Sequence, residues 1–263
     1  MTIAVDPDWW KTLFDDVYLV TDARSVCDDE LTRREVDLFC RLASLQRTDR
    51  IVDLCGGHGR HSLELCRRGF SGCMVFDYSR SLLHRGRKSA RRHRRTPFLC
   101  QCDARWVPLA DATCDHVLIL GNSLGYLPGE EADRRIVAES RRLLKNGGQL
   151  LLDLADGRQV RERFIPEAWH EIGPDVVVCR RRELGRRSVR AREMVISKTD
   201  GLIRDCNYRI RLYTPESVHD LLDAAGFISI RVHDDFRSHE DDQDYGFMNR
   251  RMLVVGSKSQ FAE

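Results

Sequence analysis

One short passage constrains this chain more than any other. Residues 51–54, Ile-Val-Asp-Leu, form an apolar run of strand length, and the run ends in Cys55-Gly56-Gly57-His58-Gly59. Leu63, Leu65 and Cys66 follow with helical spacing, and Gly69 stops them. Glycines between a strand and a helix let backbone approach a ligand closely, and a helix start offers N–H groups without internal partners. A tight turn without a ligand is the structural alternative, because such turns recur across α/β folds. On either reading, strand, glycine turn and helix make the opening unit of a parallel sheet.

The unit repeats. Strands are expected at 73–76 (closed by Asp77), 98–100, 116–120 and 149–154. Ser79 or Ser81 would cap the helix after the second strand. A helix over 130–144 would stop at Asn146-Gly147-Gly148. Strands alternating with helices at this spacing predict a doubly wound, Rossmann-like sheet. After residue 156 the pattern changes to antiparallel strands at 176–178, 191–198 and 202–213, with Thr199-Asp200-Gly201 as a hairpin turn. On the last of these, Tyr208, Ile210 and Leu212 share one face; Arg209, Arg211 and Tyr213 share the other. Thr214-Pro215-Glu216 then opens a helix through 222, and strands at 227–233 and 252–255 complete the sheet. Residues 1–45 are expected to be helical, with one apolar stripe at Trp9, Trp10, Leu13, Phe14 and Val17 and another at Leu31, Val36, Phe39, Leu42 and Leu45.

Composition narrows the class. The 263 residues are 42% hydrophobic and 32% charged, which excludes a disordered chain and a collagen. No apolar run approaches the ~20 residues that span a bilayer. Residues 1–10 lack the basic-then-apolar order of a signal peptide, so a cytoplasmic location is expected. The ten cysteines have irregular spacing, with no C-x-x-C and no zinc-finger pattern. They read as reduced core residues, and no metal site is expected. The net charge of +2 hides local asymmetry: residues 80–95 hold eight basic side chains and no acidic one, and residues 234–244 hold six acidic ones.

The chemistry-bearing positions stack at strand ends. Counting G-x-G-x-x-G from Gly57 places Ser62 where the third glycine belongs, so the dinucleotide fingerprint fails. Asp77 ends the second strand, where a carboxylate can accept both hydroxyls of a ribose; a helix-capping Asp is the alternative. Asp103, in Cys102-Asp103-Ala104, could accept from an adenine amino group or be a plain loop residue. Gly121-Asn122-Ser123 follows the fourth strand. All four places lie at carboxyl ends of strands, where open α/β sheets bind ligands.

In these residues the chain resembles the class I S-adenosylmethionine-dependent methyltransferases, of the small-molecule type. The carrying segments are VDLCGGHG (52–59), VFDYS (75–79), CDA (102–104), LILGNSLGYL (118–127), LLKNGGQLLLDL (143–154) and LLDAAGF (221–227). Cys55 departs from the family pattern by standing at its first glycine, which a small residue can do where the turn needs no positive φ. The resemblance implies a seven-stranded sheet with an antiparallel last strand, and S-adenosylmethionine as cofactor. Its expected contacts are Asp53, Cys55, Gly56, Gly57, Gly59, Asp77, Tyr78, Ser79, Asp103, Ala104, Gly121 and Asn122. Within this set Asp77 is expected at the ribose, Asp103 and Ala104 at the adenine, and Asp53 and Gly57 near the methionine moiety. Three parts follow: a helical cover at 1–45, a cofactor domain at 46–156 and 212–263, and an antiparallel lid at 157–211. Tyr18, Ser123 and Tyr126 are candidates to face the acceptor.

The expected function is methyl transfer to a small molecule, at nitrogen or oxygen rather than carbon, mainly by alignment. No catalytic residue is assigned; His58, His61, His116 and His233 are read as structural or exposed. Arg180, Arg181, Arg182 and Glu183 of the lid are read as exposed strand residues rather than contacts to an acidic acceptor. Two alternatives differ in class: a nucleic-acid methyltransferase using the basic segment 80–95, and a non-catalytic binding module. A solvated helix face is the preferred reading of that segment, so no nucleic-acid or membrane partner is expected, and homo-oligomerisation is left open.

Overall fold

The computed structural model describes residues 2–22, 26–91, 93–237 and 250–260. Arg92 of the basic run and most of the acidic run at 234–244 lie outside them.

After a 3-10 turn at Trp9–Lys11 come α1 (Asp16–Thr21) and α2 (Asp29–Leu42). The alternating part runs β1 (Arg50–Leu54), α3 (Arg60–Arg67), β2 (Gly72–Asp77), α4 (Arg80–Ala90), β3 (Phe98–Gln101), β4 (Cys114–Ile119), α5 (Glu130–Leu143) and β5 (Leu144–Ala155). Then follow α6 (Gly157–Glu162), β6 (Glu167–Ile172), β7 (Val176–Leu184), β8 (Ser188–Ser197), β9 (Gly201–Arg211), α7 (Pro215–Ala224), β10 (Phe227–Arg237) and β11 (Arg250–Lys258). Seven strands form one sheet in the order β10-β11-β5-β4-β1-β2-β3, and β6 to β9 form a second, antiparallel sheet. β11 runs antiparallel to both its neighbours, as the resemblance implied. No helix among the described residues is long and apolar enough to cross a membrane.

Each face of the large sheet has its own core. Ile51, Cys73, Leu118, Leu151 and Leu253 pack with Val36 and Phe39 of α2 and Leu65 of α3. Val52, Leu54, Val117, Ile119 and Leu152 pack with Ile136 of α5 and Leu222 of α7, and this core continues into Trp9, Ala191, Tyr208 and Ile210. The second sheet and the N-terminal turn therefore close over the same face as α5 and α7.

Local signals place most boundaries. The Ser79 hydroxyl accepts from the Leu82 N–H and so caps α4. Thr214 and Ser217 form a reciprocal capping box with Pro215 at the first position of α7. Three expectations differ from the structure. Residues 1–45 are not one run of helix: Trp9 and Trp10 sit in the 3-10 turn, and the Asp15 carboxylate starts α1 by accepting from the Val17 and Tyr18 N–H groups. The first stripe joined residues of two short elements that bury the same side. Asn146-Gly147-Gly148 is not a helix stop, because α5 ends at Leu143 and those residues form an irregularity within β5. β6 is a strand the sequence does not predict: it lies at the sheet edge with alternate residues exposed, so its polar sequence carries little apolar signal.

Candidate functional site

The carboxyl ends of β1, β2, β3 and β4 open into one cleft of about 1720 Å³, counting the space at its mouth. Its floor is the glycine turn. The Cys55 and Gly56 N–H groups donate to the Phe76 carbonyl (2.7 and 3.3 Å), and Gly59 donates to Gly56 (2.8 Å). Cys55 stands at φ 60°, so the position does require left-handed backbone, contrary to the reading that a non-glycine fits there without it. Gly56 is fixed by contact: a Cβ there would lie 2.6 Å from the Asp53 carboxyl carbon. Gly56→Ala is accordingly expected to destabilise the fold by about 1–3 kcal/mol. Urea unfolding checks this, and the loss should shrink in an Asp53→Ala background.

Three of the carboxylates that line the cleft come from β1, β2 and the loop after β3. Asp53 is fully buried; its Oδ2 accepts from the Ser62 hydroxyl (2.8 Å), while Oδ1 has no partner among the described residues. Burial pushes its pKa up to about 7. Asp77 accepts from the Gly57 N–H at Oδ2 and the Ser79 N–H at Oδ1, both at 2.7 Å. Burial lifts it to about 6 against those hydrogen bonds. Asp103 is gripped by Arg105 through Nε (2.9 Å) and Nη2 (2.6 Å). Partial burial works against its charge, but the Arg105 contacts outweigh it and hold the carboxyl below its ordinary value.

Gly121 and Asn122 are held from below. The Gly121 N–H donates to Asp153 Oδ2 (2.9 Å), and Asn122 Oδ1 accepts from the Ala155 N–H (3.0 Å). The Ser123 hydroxyl donates to the Leu120 carbonyl (2.7 Å). The opposite wall is aromatic. Phe14 meets Tyr18 and Tyr126 edge-on, at 5.1 and 5.4 Å between ring centres, and Trp9 packs on Tyr126 and Tyr208 behind it. Burial raises Tyr18, Tyr126 and Tyr208 above the ordinary phenol value.

The expected residues converge. Asp53, Cys55, Gly56, Gly57, Asp77, Tyr78, Ser79, Asp103, Ala104, Gly121, Asn122, Tyr18, Ser123 and Tyr126 all line this cleft. Gly59 does not; at φ 74° it starts α3, with Val75 3.2 Å from where a Cβ would sit. Arg180 and Arg182, expected to be exposed, turn inward and line the cleft with Glu193. Strand alternation sends Arg181 and Glu183 to the other face. Arg180 donates to Glu193 (2.7 Å) and lies 3.3 Å from the Asp22 carboxylate. The strand register, not the sequence alone, tells the two faces apart. His58 and His61 also line the cleft, and burial lowers each pKa to about 4. His116 instead bonds Asp49 (3.0 Å), away from the cleft lining. The described basic residues of α4, among them Arg80, Arg87 and Lys88, are absent from the lining.

Comparisons with known proteins agree with this geometry. Residues 51–148 match a family model described as a methyltransferase domain. A glycine/sarcosine N-methyltransferase of Parasynechococcus marenigrum is 32% identical over 120 residues, 45% of this chain and 42% of that protein. The chain thus matches less than half the length of that curated relative. A solved S-adenosylmethionine-dependent methyltransferase from Clostridium acetobutylicum superposes with a TM-score of 0.73 at 14% identity, covering 92% of this chain and 97% of that one. An amino pentose methyltransferase from Micromonospora echinaspora, solved with S-adenosylmethionine bound, gives 0.64 at 21% identity over 94% and 99%. At such identities the likeness is one of fold.

Proposed function

We propose that this chain is a class I S-adenosylmethionine-dependent methyltransferase that moves a methyl group from that cofactor to the nitrogen of a small amine. One observation carries the reading. The cleft has an acidic, glycine-floored end and an aromatic, lid-covered end, and the two histidines that line it are held weakly basic by burial.

The acidic end fits the cofactor. Among the described residues Asp53 keeps a buried oxygen without a partner, and the Cβ position of Gly121 opens on empty space. Asp77 would take the ribose hydroxyls, Asp103 and Ala104 the adenine, and Asp53 and Gly57 the methionine end. When bound, the cofactor supplies a methyl group already made electrophilic by its sulfonium. The chain's own task is then alignment, worth up to roughly 7–11 kcal/mol of barrier.

The second sheet acts in this reading as a lid. Tyr208 and Ile210 from β9, with Phe14 and Tyr126, exclude water from the acceptor end. Arg180, Arg182 and Glu193 give that end polar contacts for a small acceptor. His58 and His61 are too weakly basic to take a hydroxyl proton, and His61 Nε2 is already engaged by Glu35 (2.8 Å). An amine that has released its proton to water needs no such base, which favours nitrogen over oxygen. The relative named above acts by its name on glycine and sarcosine, and a sugar N-methyltransferase of Streptoalloteichus shares the fold. No nucleic acid takes part in this reading. Ten free thiols suit a reducing cytoplasm, where we place the enzyme.

Calorimetry with S-adenosylmethionine, then turnover on amino acids, amino sugars and matched alcohols, tests this. One cofactor per chain and methylation confined to amines are expected. Absence of cofactor binding, or turnover on alcohols alone, refutes it.

A pH dependence follows. Ribose hydroxyls and a methionine ammonium both donate, so binding requires ionised Asp77 and Asp53. Both carboxyls titrate unusually high in the free protein, at about 6 and about 7. Cofactor affinity is therefore expected to hold steady above about pH 8 and to fall below 7, steepening towards two protons below 6. A flat calorimetric profile from pH 8 to 5.5 would remove both assignments.

A further inference from the structure

Two arginines face each other across the second sheet: Arg190 of β8 pairs directly with Arg209 of β9. Like charges in that relation destabilise an antiparallel pair when nothing lies between them. Neither guanidinium makes an ion pair or a side-chain hydrogen bond among the described residues. Both wall a second cavity of about 820 Å³, counting its open side. Residues 2–7 cross over it as a strap, and Trp9 and Pro128 complete its lining. The strap is tied to the sheet at its margin: the Ile3 N–H donates to Glu183 Oε2 (2.8 Å), and Asn207 Nδ2 donates to the Ala4 carbonyl (2.7 Å). Among the described residues Asp6 is the one carboxylate lining the cavity, and its Oδ1 accepts from the Asp8 N–H (2.8 Å). Burial, Arg211 and Arg190 together press Arg209 below its ordinary value, against the opposing pull of Asp133.

We propose that this cavity binds a phosphate-type oxyanion, gripped between the Arg190 and Arg209 guanidiniums beneath the N-terminal strap. Two planar forks can present paired N–H donors to one tetrahedral anion, which a single carboxylate uses less fully. The cavity shares no lining residue with the cofactor cleft. The strap leads directly into Trp9 and Trp10, so an anion that pins it also steadies the cover of the cleft.

The test is calorimetry of the full chain with inorganic phosphate, without S-adenosylmethionine, against acetate and chloride at matched ionic strength. One phosphate per chain is expected, at a Kd of about 1 mM or tighter, with slowed amide exchange in residues 3–6. Arg190→Gln with Arg209→Gln should weaken binding at least about tenfold; each single change serves should the double variant fail to fold. Unchanged binding in these variants, equal binding of acetate, or no phosphate binding overturns the proposal. The readout needs no methyl transfer, so its failure and that of the enzymatic reading are told apart.

Discussion

Asp77→Ala is expected to weaken S-adenosylmethionine binding at least about a hundredfold, roughly 3 kcal/mol. The carboxylate does two jobs at once. It accepts the Gly57 and Ser79 N–H groups, which fixes the glycine turn to the end of β2. It also has lone pairs left for ligand hydroxyls. Alanine removes both, leaving two buried donors unsatisfied, and hydrogen bonds to a charged group contribute about 1.5–3 kcal/mol each. The fold loses the same two hydrogen bonds, but it is also relieved of a carboxylate whose charge burial disfavours, so the two effects offset in part. Thermal unfolding of the apo protein should therefore shift far less than the affinity does. Asp77→Asn separates the roles: it keeps one acceptor, so binding should fall less, and the pH dependence near 6 should vanish. Unchanged calorimetric affinity in Asp77→Ala would mean that the ligand lies elsewhere.

Much of this was legible because the signals are local. A strand, a glycine turn and a helix start occupy adjacent residues, and Asp77 and Asp103 announce themselves by following apolar runs. What the chain concealed depends on register and on distance. Arg180 and Arg181 are sequence neighbours, yet one faces the cleft and the other the outer face, which only the pairing of β7 with β8 decides. Cys55 could not be read as left-handed backbone, since composition favours glycine at such φ values. The ion-pair network beneath the cleft was invisible for a further reason: its members come from α2, α3, β5 and β11, up to 216 positions apart.

Arg251 is the centre of that network, and replacing it with methionine is expected to cost about 3–5 kcal/mol of stability. The side chain is wholly buried, with its guanidinium 4.9 Å from the Phe236 ring centre. It donates to Glu35 of α2 and, at 2.7 Å, to Asp153 of β5. Glu35 also holds Arg60 (2.5 Å) and His61 (2.8 Å), and Asp153 holds the Gly121 N–H. One cation thus joins the α2 cover, the helix behind the glycine turn and the loop after β4. Burial acts against the Glu35 charge, but Arg251 and Arg60 outweigh it and keep the carboxyl well below its ordinary value. Methionine fills similar space yet leaves two carboxylates in the interior with their main counter-charge gone. Each must then protonate or remain costly, so the deficit should be largest near pH 8 and shrink as pH falls towards 5. Arg251→Met combined with Glu35→Gln and Asp153→Asn should recover most of the loss, since no buried charge is stranded. Arg251→Lys, with one compact ammonium, cannot reach both partners in fork geometry and should fall between. Loosening the Gly121 tether should raise the KM for S-adenosylmethionine more than it lowers kcat, a split that lost packing alone would not produce. Urea unfolding across pH, read beside those kinetics, decides it: a deficit independent of pH would show that the packing of Arg251, rather than its charge, holds these elements together.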